Sequence, residues 1–359
     1  MELDITKTTT TSMDTEVSNY SVSPKVTDAS SGYGETTWDS PYWSKWYGYY
    51  KTIPELKSAI NCLATWILGQ GYTCDSSRNK VILEHINGWG EDTFSSVLWN
   101  LFVTKKINGD AFAEIIRDKG IIQNLKPLDP SSMRIVCNPQ GKIIRYEQRS
   151  KIPGDKKTFK VEDIFHISND RVADNIHGES IIEAVQWVID AKNEAMADWR
   201  RISHRSTIRV LFVDEDDKTR LANLKSDYAS SIKYGELIIL PTKAGDAQFQ
   251  DLTLPPVEAF LAWIRYLENF YYQALGIPRV VLGGTAENTE ASAKVSVIVW
   301  EPTFVREITE LEQDVWNQLG IKLKINKQPS LMDNMYNDEQ KNTGQVGFQP
   351  NDVTAGVGK

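Results

Sequence analysis

Cysteine is nearly absent: Cys62, Cys74 and Cys137 are the whole supply in 359 residues. An odd, widely spaced set makes no disulfide framework, and no Cys-x-x-Cys or Cys/His spacing marks a zinc site. Free thiols in a reducing compartment are expected. Histidine is as scarce, and His85, His166, His177 and His204 lack ligand spacing, so no metal is expected. No apolar run approaches the roughly 18 residues of a membrane span. The first residues lack a basic stretch followed by an apolar one, so no secretion signal is expected either. Positive charge is not in excess: 40 Lys and Arg against 48 Asp and Glu leave a net −8. That argues against a protein whose main task is gripping nucleic acid, but not against one past which nucleic acid slides. No internal repeat is evident.

Catalytic signatures are missing too. His177-Gly-Glu-Ser180 is not Gly-x-Ser-x-Gly, and a capping role already explains Ser180. Gly283-Gly284 has neither a Walker lysine nor a GxGxxG pattern. The acidic run Asp214, Glu215, Asp216 and Asp217 lacks the glycine and terminal glutamate of a calcium loop, and reads as a solvated helix start. Neither a cofactor nor an enzymatic activity is expected. The one enzyme alternative is an α+β enzyme with a site between His166 and Ser180, drawing on Asp174 and His177.

What is present is an ordinary globular composition, 41% hydrophobic and 25% charged, in a chain long enough for two or three units. Residues 1–37 are rich in Thr, Ser, Asp and Gly without apolar period, which reads as a flexible arm. Trp38 to Tyr50 then holds three Trp and four Tyr. It suits a segment packed on its own domain, an arm laid on a neighbouring subunit, or a base-stacking platform. Thr52-Ile-Pro-Glu55 is a candidate capping box for a helix carrying Leu56, Ile60, Leu63 and Ile67; a second helix opens at Asp92 or Thr93. Phe112–Arg117 and Ile121–Leu125 flank a turn signal at Asp118-Lys-Gly120, and Met133–Cys137 and Ile143–Gln148 flank Asn138-Pro-Gln-Gly141. Strands Phe159–Val161 and Phe165–Ile167 are expected to close the same sheet.

The most informative stretch runs from Gly178 to Gly320. Ser180-Ile-Ile-Glu183 reads as a capping box opening a helix to about Arg205, on the order of 40 Å long. It is apolar on several faces and must meet more than one neighbour. Pro255-Pro256 opens a second helix that ends at Gly276-Ile-Pro278, with Trp263, Tyr266, Phe270 and Tyr272 on one flank. Between them lies a strand–helix–strand–strand insert, with strands at Ile208–Val213, Leu237–Leu240 and Ala247–Leu252. It is too small to be stable alone. A third helix runs from near Asn288 to Leu319 and contains Pro302, which should kink it. Ile321–Ile325 alternates as a strand expected to return to the first sheet, and residues 328–359 read as a mobile tail.

Several short stretches, in this order and spacing, resemble the portal (connector) proteins of tailed double-stranded DNA viruses. They are Tyr49-Tyr-Lys-Thr-Ile-Pro-Glu-Leu-Lys-Ser-Ala-Ile60, Asn108-Gly-Asp-Ala-Phe112, Leu125-Lys-Pro-Leu-Asp-Pro130, Phe165-His-Ile167, His177-Gly-Glu-Ser180, Leu275-Gly-Ile-Pro-Arg-Val-Val-Leu-Gly283 and Trp300-Glu-Pro302. The resemblance implies an α+β fold. Residues 38–177 would form a wing, 178–205 and 256–275 a two-helix stem, 206–255 a clip, and 276–288 a tunnel loop. Residues 289–327 would complete the wing with a kinked helix and closing strand, and any crown would be short or absent. It further implies a ring, usually of twelve subunits, at one capsid vertex of the virion, assembled in the host cytoplasm. Double-stranded DNA would pass through the channel; the terminase large subunit, the major capsid protein and a head-to-tail adaptor would be partners, with no membrane involved. Ile277, Pro278, Arg279, Val280, Gly283, Gly284, Thr285, Glu287, Asn288 and Lys294 would lie nearest DNA. On the stem, Lys192, Arg200, Arg201 and Arg205 would face the channel, or Arg200, Arg201 and Arg205 would instead cap their helix or pair with a neighbour's acids. Asp214 to Asp217 with Lys218 would serve docking at the clip. Trp43, Trp46, Tyr47, Trp187, Trp199, Trp263 and Tyr266 would make subunit contacts. Another ring or adaptor of the head–tail junction is the nearer alternative.

Overall fold

The computed structural model describes residues 35–138, 140–149, 156–173, 175–204, 209–213, 217–229, 237–241, 248–251, 257–282 and 290–329. The chain divides into two units, one made of Met1–Glu183 and Val280–Lys359, the other of Ala184–Arg279.

The described part of the first unit opens near a strand whose first two residues fall within the expected arm of residues 1–37. β1 (Thr36–Asp39) pairs antiparallel with β5 (Met133–Cys137). Arg134 Nε holds Asp39 Oδ1 at 2.8 Å across that pair. The aromatic stretch packs largely on its own unit. Trp38 lies against the core and stacks on His177 with ring centroids 4.3 Å apart, and Trp46 is 4% exposed on helix α1 (Trp43–Thr52). Thr52 does not cap the next helix; it closes α1, its hydroxyl donating to the Gly48 carbonyl at 2.7 Å. Helix α2 (Pro54–Leu68) instead starts on Pro54, whose missing amide costs nothing in a first turn.

After β2 (Tyr72–Cys74) and α3 (Ser77–Glu84) comes α4 (Phe94–Asn108), capped as expected at Thr93, whose hydroxyl accepts the Ser96 amide. Helix α4 is buried along most of its length and lies on the hairpin of β3 (Asp110–Asp118) and β4 (Ile121–Leu128). That hairpin turns on Lys119 and Gly120, both with positive φ, as a two-residue turn with matching twist requires. β6 (Ile143–Arg149) pairs with β5, and β7 (Lys156–Lys160) with β6. β8 (Ile164–Ser168) does not join them. It pairs with β3, so these strands divide between two sheets, β1-β5-β6-β7 and β4-β3-β8, where one was expected. The turn Val161–Asp163 separates β7 from β8 and lets the chain change sheets. Phe112, Met133, Ile135, Tyr146, Phe159 and Ile164 fill one core with residues from both.

Helix α5 (Ile181–His204) begins in this unit and continues into the second. There the insert has the expected order: β9 (Arg209–Val213), α6 (Lys218–Ala229), β10 (Leu237–Pro241) and β11 (Gln248–Asp251), in a sheet β10-β9-β11 with β10 parallel to β9. Helix α7 (Val257–Leu275) follows and ends at Gly276, whose φ is +64. Back in the first unit, α8 (Glu290–Leu319) runs as one helix with Pro302 inside. β12 (Leu323–Ile325) then pairs with β2 rather than with a larger sheet. Its Ile325 amide donates to Glu312 Oε1 on α8 at 2.7 Å, which ties the strand to the helix before it.

Candidate functional site

Two stretches singled out in the sequence, Asn108–Phe112 and His177–Ser180, meet. Gly109 and Gly178 lie back to back, and a Cβ on either would fall within 2.3 Å of the other's carbonyl oxygen. The Gly178 amide donates to both oxygens of Asp110, at 3.0 and 3.1 Å. Asp110 is fully buried and also meets His166 Nε2 at 2.8 Å, while His166 Nδ1 meets the Tyr146 hydroxyl at 3.0 Å. Ser180 Oγ donates to the Ile107 carbonyl and accepts the Ile182 amide at 3.1 Å, which caps α5. The Asn169 amide donates to the Gly109 carbonyl at 2.7 Å, and Asn169 Nδ2 donates to the Glu179 carbonyl at 2.8 Å. This is a satisfied structural knot. Among the described residues, Asp110, Asn169 and Ser180 are spent on anchoring the start of α5, and His166 and His177 are engaged by Asp110 and Tyr146 and by Trp38; Asp174 lies outside the described residues. Burial raises the Tyr146 hydroxyl well above its ordinary range.

In the second unit α5 and α7 form an antiparallel pair. Trp187 meets Phe270, Lys192 meets Glu268, and Trp199 stacks on Phe260 at 4.5 Å, so the pairings step down one helix and up the other. Two of the singled-out cations converge on one acid: Glu268 Oε1 lies 3.2 Å from Lys192 Nζ, and its Oε2 lies 3.6 Å from Arg279 Nη2. Arg279 also sits 6.0 Å from the Tyr272 ring centroid. Arg201 pairs with Asp198 one turn back on α5, and Arg200 is exposed. The pair leaves large apolar groups in solvent, among them Trp187, Met196, Leu261, Trp263 and Tyr266.

The remaining singled-out residues divide. Ile277 is buried, Pro278 and Val280 are half-buried, and Arg279–Leu282 form a short helical turn. Asp217 accepts the Thr219 amide at 2.8 Å and so caps α6, with Lys218 exposed beside it. Trp43 stacks on the exposed Tyr47. Pro302 is exposed between Trp300 and Phe304, which pack on Trp66 of α2; Lys294 is exposed. Arg205, Asp214, Glu215, Asp216, Gly283, Gly284, Thr285, Glu287 and Asn288 lie outside the described residues. Among the described residues no group of His, Cys, Asp and Glu could hold a metal ion, and no helix is long and apolar enough to cross a membrane.

Sequence reading missed an open cavity of about 710 Å³ in the first unit, lined by β6, β8 and the last turns of α8. Gln318 of α8 takes the place of a neighbouring strand there: its side-chain amide accepts from the His166 amide at 2.8 Å and donates to the His166 carbonyl at 2.7 Å. Asp314 on the same wall has its carboxyl pushed up by burial, against the pull of Lys105.

Residues 76–336 match the model of the family described as phage portal protein. No curated protein matches the chain. Among solved structures it is similar to a chain in the virion of a native gene transfer agent particle. The TM-score is 0.63 at 16% identity, over 89% of this chain and 93% of that one. It is similar as well to a chain in the neck of the native particle computed with C12 symmetry, at TM-score 0.61 and 18% identity over 89% and 93%. An HK97 family phage portal protein from Corynebacterium diphtheriae gives TM-score 0.50 at 12% identity, over 78% of this chain and 95% of that one. At such identities the likeness speaks for the fold, and it agrees with the α+β class read from the sequence.

Proposed function

The chain belongs to the phage portal protein family, and from that premise we propose that it closes into a ring of twelve copies at one capsid vertex of a virion. On this reading the ring conducts double-stranded DNA during packaging and ejection. It docks the terminase motor first and a head-to-tail adaptor afterwards, within a shell of major capsid protein, and it is assembled in the host cytoplasm. Its work is structural rather than enzymatic. The observation that carries the reading is the α5/α7 pair. A helix pair with Trp187, Leu261, Trp263 and Tyr266 in solvent, on more than one face, is poorly suited to a lone molecule and well suited to being flanked by copies of itself. A neck computed with C12 symmetry, from a particle whose chain shares this fold, supports the ring order.

The charges suit a conduit. A basic channel would hold the phosphate backbone through counterion release and stall it. A net −8 per copy, multiplied around a ring, repels the duplex. Glu268 in particular offsets two of the cations proposed for the channel wall. Native mass spectrometry and negative-stain imaging of the full chain test the reading; rings of about twelve copies with a central hole are expected, and a compact monomer under all assembly conditions would end it.

A second prediction concerns that shared acid. Glu268→Gln removes the charge that Lys192 and Arg279 share. DNA retention by rings of this variant should rise, and its fall with salt should steepen, because each further phosphate that a cation neutralises makes log K fall by about 0.9 more per log unit of salt. An unchanged salt slope would mean that these cations face away from DNA.

A further inference from the structure

The loop Asn87–Asp92, between α3 and α4, is braced on both sides. The Asn124 side-chain oxygen accepts from the amides of Asn87 and Gly88, at 3.2 and 2.9 Å, and its nitrogen donates to the Gly88 carbonyl at 2.9 Å. Asp92 Oδ2 accepts the Trp89 amide at 3.1 Å, and the Gly90 amide donates to the Asn87 carbonyl at 2.7 Å. Gly88 has φ +54, and a Cβ there would lie 2.6 Å from Asp92 Oδ2. This braced loop carries a bare indole: Trp89 is 67% exposed, with Lys126 Nζ 5.0 Å from its ring centroid. An aromatic ring already held in place loses little freedom on docking, which is the character of an interface anchor.

The same unit contains a receptor of suitable size. The cavity against β8 has an apolar rim, with Ile144 and Val161 both exposed, and its lining carries Arg117, Lys160 and Arg171 against Glu162 and Asp314, a surplus of one positive charge. Its roughly 710 Å³ exceeds what an indole fills and leaves room for water. The Trp89 loop carries Glu91 and Asp92 against Lys126, with Glu84 before it paired to Lys80, so it has a surplus of negative charge that complements the surplus of positive charge at the cavity. Their places in the sheet complete the match. The loop is bonded to β4, one edge of the sheet β4-β3-β8, and the cavity is built against β8, the other edge. The register sets Lys126 opposite Glu114, and Glu114 opposite Ile164 of the cavity wall, so knob and hole lie at one level.

We propose that Trp89 of one copy seats in the β6/β8/α8 cavity of a second copy, each copy offering the knob on one flank and the hole on the other. Two different patches at one level on opposite flanks make a head-to-tail contact, which closes into a ring when the rotation permits. The proposal rests on the ring reading above and names one contact that would hold the ring together.

Cross-linking of the full chain tests it. With Trp89→Cys and Ile144→Cys combined, mild oxidation of the purified assembly should give a ladder of covalent oligomers on a non-reducing gel, while the unsubstituted chain and each single variant give none. Trp89→Ala should raise the protein concentration for half-assembly at least tenfold and leave the circular dichroism spectrum unchanged, since the ring packs on little within its own copy. Intact rings without a ladder, and with unaltered assembly of Trp89→Ala, would overturn this contact and leave the portal reading standing. A chain that forms no ring would overturn both.

Discussion

Replacing Gly109 with alanine is expected to abolish cooperative folding of the first unit. Its Cβ would come to 2.2 Å from the Gly178 carbonyl oxygen and 2.6 Å from the carbonyl carbon, both backbone atoms that cannot swing aside as a side chain can. The residue also sits at φ +91, where an L side chain is strained before any neighbour is considered. Relief by separating the strands would pull the Gly178 amide off Asp110, leaving a fully buried carboxylate with His166 as its remaining side-chain partner. Losing that amide's hydrogen bonds to a buried carboxyl costs about 1.5–3 kcal/mol on top of the backbone strain, out of the roughly 5–15 kcal/mol that holds a domain together. Gly120→Ala supplies the control. Its φ of +81 carries similar backbone strain, but no atom lies within 4 Å, so a loss of about 1–3 kcal/mol is expected. Thermal unfolding followed by circular dichroism reads both. If the two variants unfolded alike, the close approach at Gly109 would not be what fixes the junction.

That junction shows where sequence reading stops. The stretches Asn108–Phe112 and His177–Ser180 both stood out, yet nothing in either says that they touch, because the approach spans about seventy residues and is made by backbone atoms. Local chemistry was readable. The β3–β4 turn follows from Lys119 and Gly120, the α4 cap from Thr93, and the insert from its alternation of strand and helix patterns. Partner choice was not readable: Phe159-Lys-Val161 and Phe165-His-Ile167 have the same short apolar pattern, but β7 continues the β5–β6 meander and β8 returns to β3. In the second unit the cations on α5 and after α7 were visible as charges, while the acid that offsets them was not. The Trp89 loop carried a signal that was overlooked, since Gly-Trp-Gly places a large ring between two residues free to turn.

The least legible feature gives the second large prediction. Lys105 and Lys106 fall at the end of α4, where a helix pattern suggests solvated charges facing the dipole. Both are buried instead, at 1% and 4% exposure, and share a carboxylate about two hundred residues on, with Glu307 Oε2 at 3.1 Å and Oε1 at 2.6 Å. Asn169 takes a second hydrogen bond from Lys106 at 2.7 Å. Burial lowers the Lys106 pKa, with Glu307 opposing. Burial works to raise that of Glu307, but Lys106 and Lys105 override it and hold the carboxyl below its ordinary range. Glu307→Ala would leave two like charges in the interior without their acid. A loss of about 3–5 kcal/mol is expected, with the part of α8 beyond Pro302 released from α4. The pH dependence has a definite sign. An acid whose folded pKa is depressed adds stability above its unfolded value, about 4.3, and that stability is lost as pH falls through the folded value. The urea-midpoint gap between the parent chain and Glu307→Ala should therefore be widest near neutrality and shrink below about pH 4. Toward pH 10 it should shrink again: in the variant Lys106 loses the opposition to its lowered pKa, sheds its proton more readily in the folded state, and stability rises with pH. A gap that stays constant from pH 3 to pH 10 would mean that Glu307 acts through packing and not through its charge.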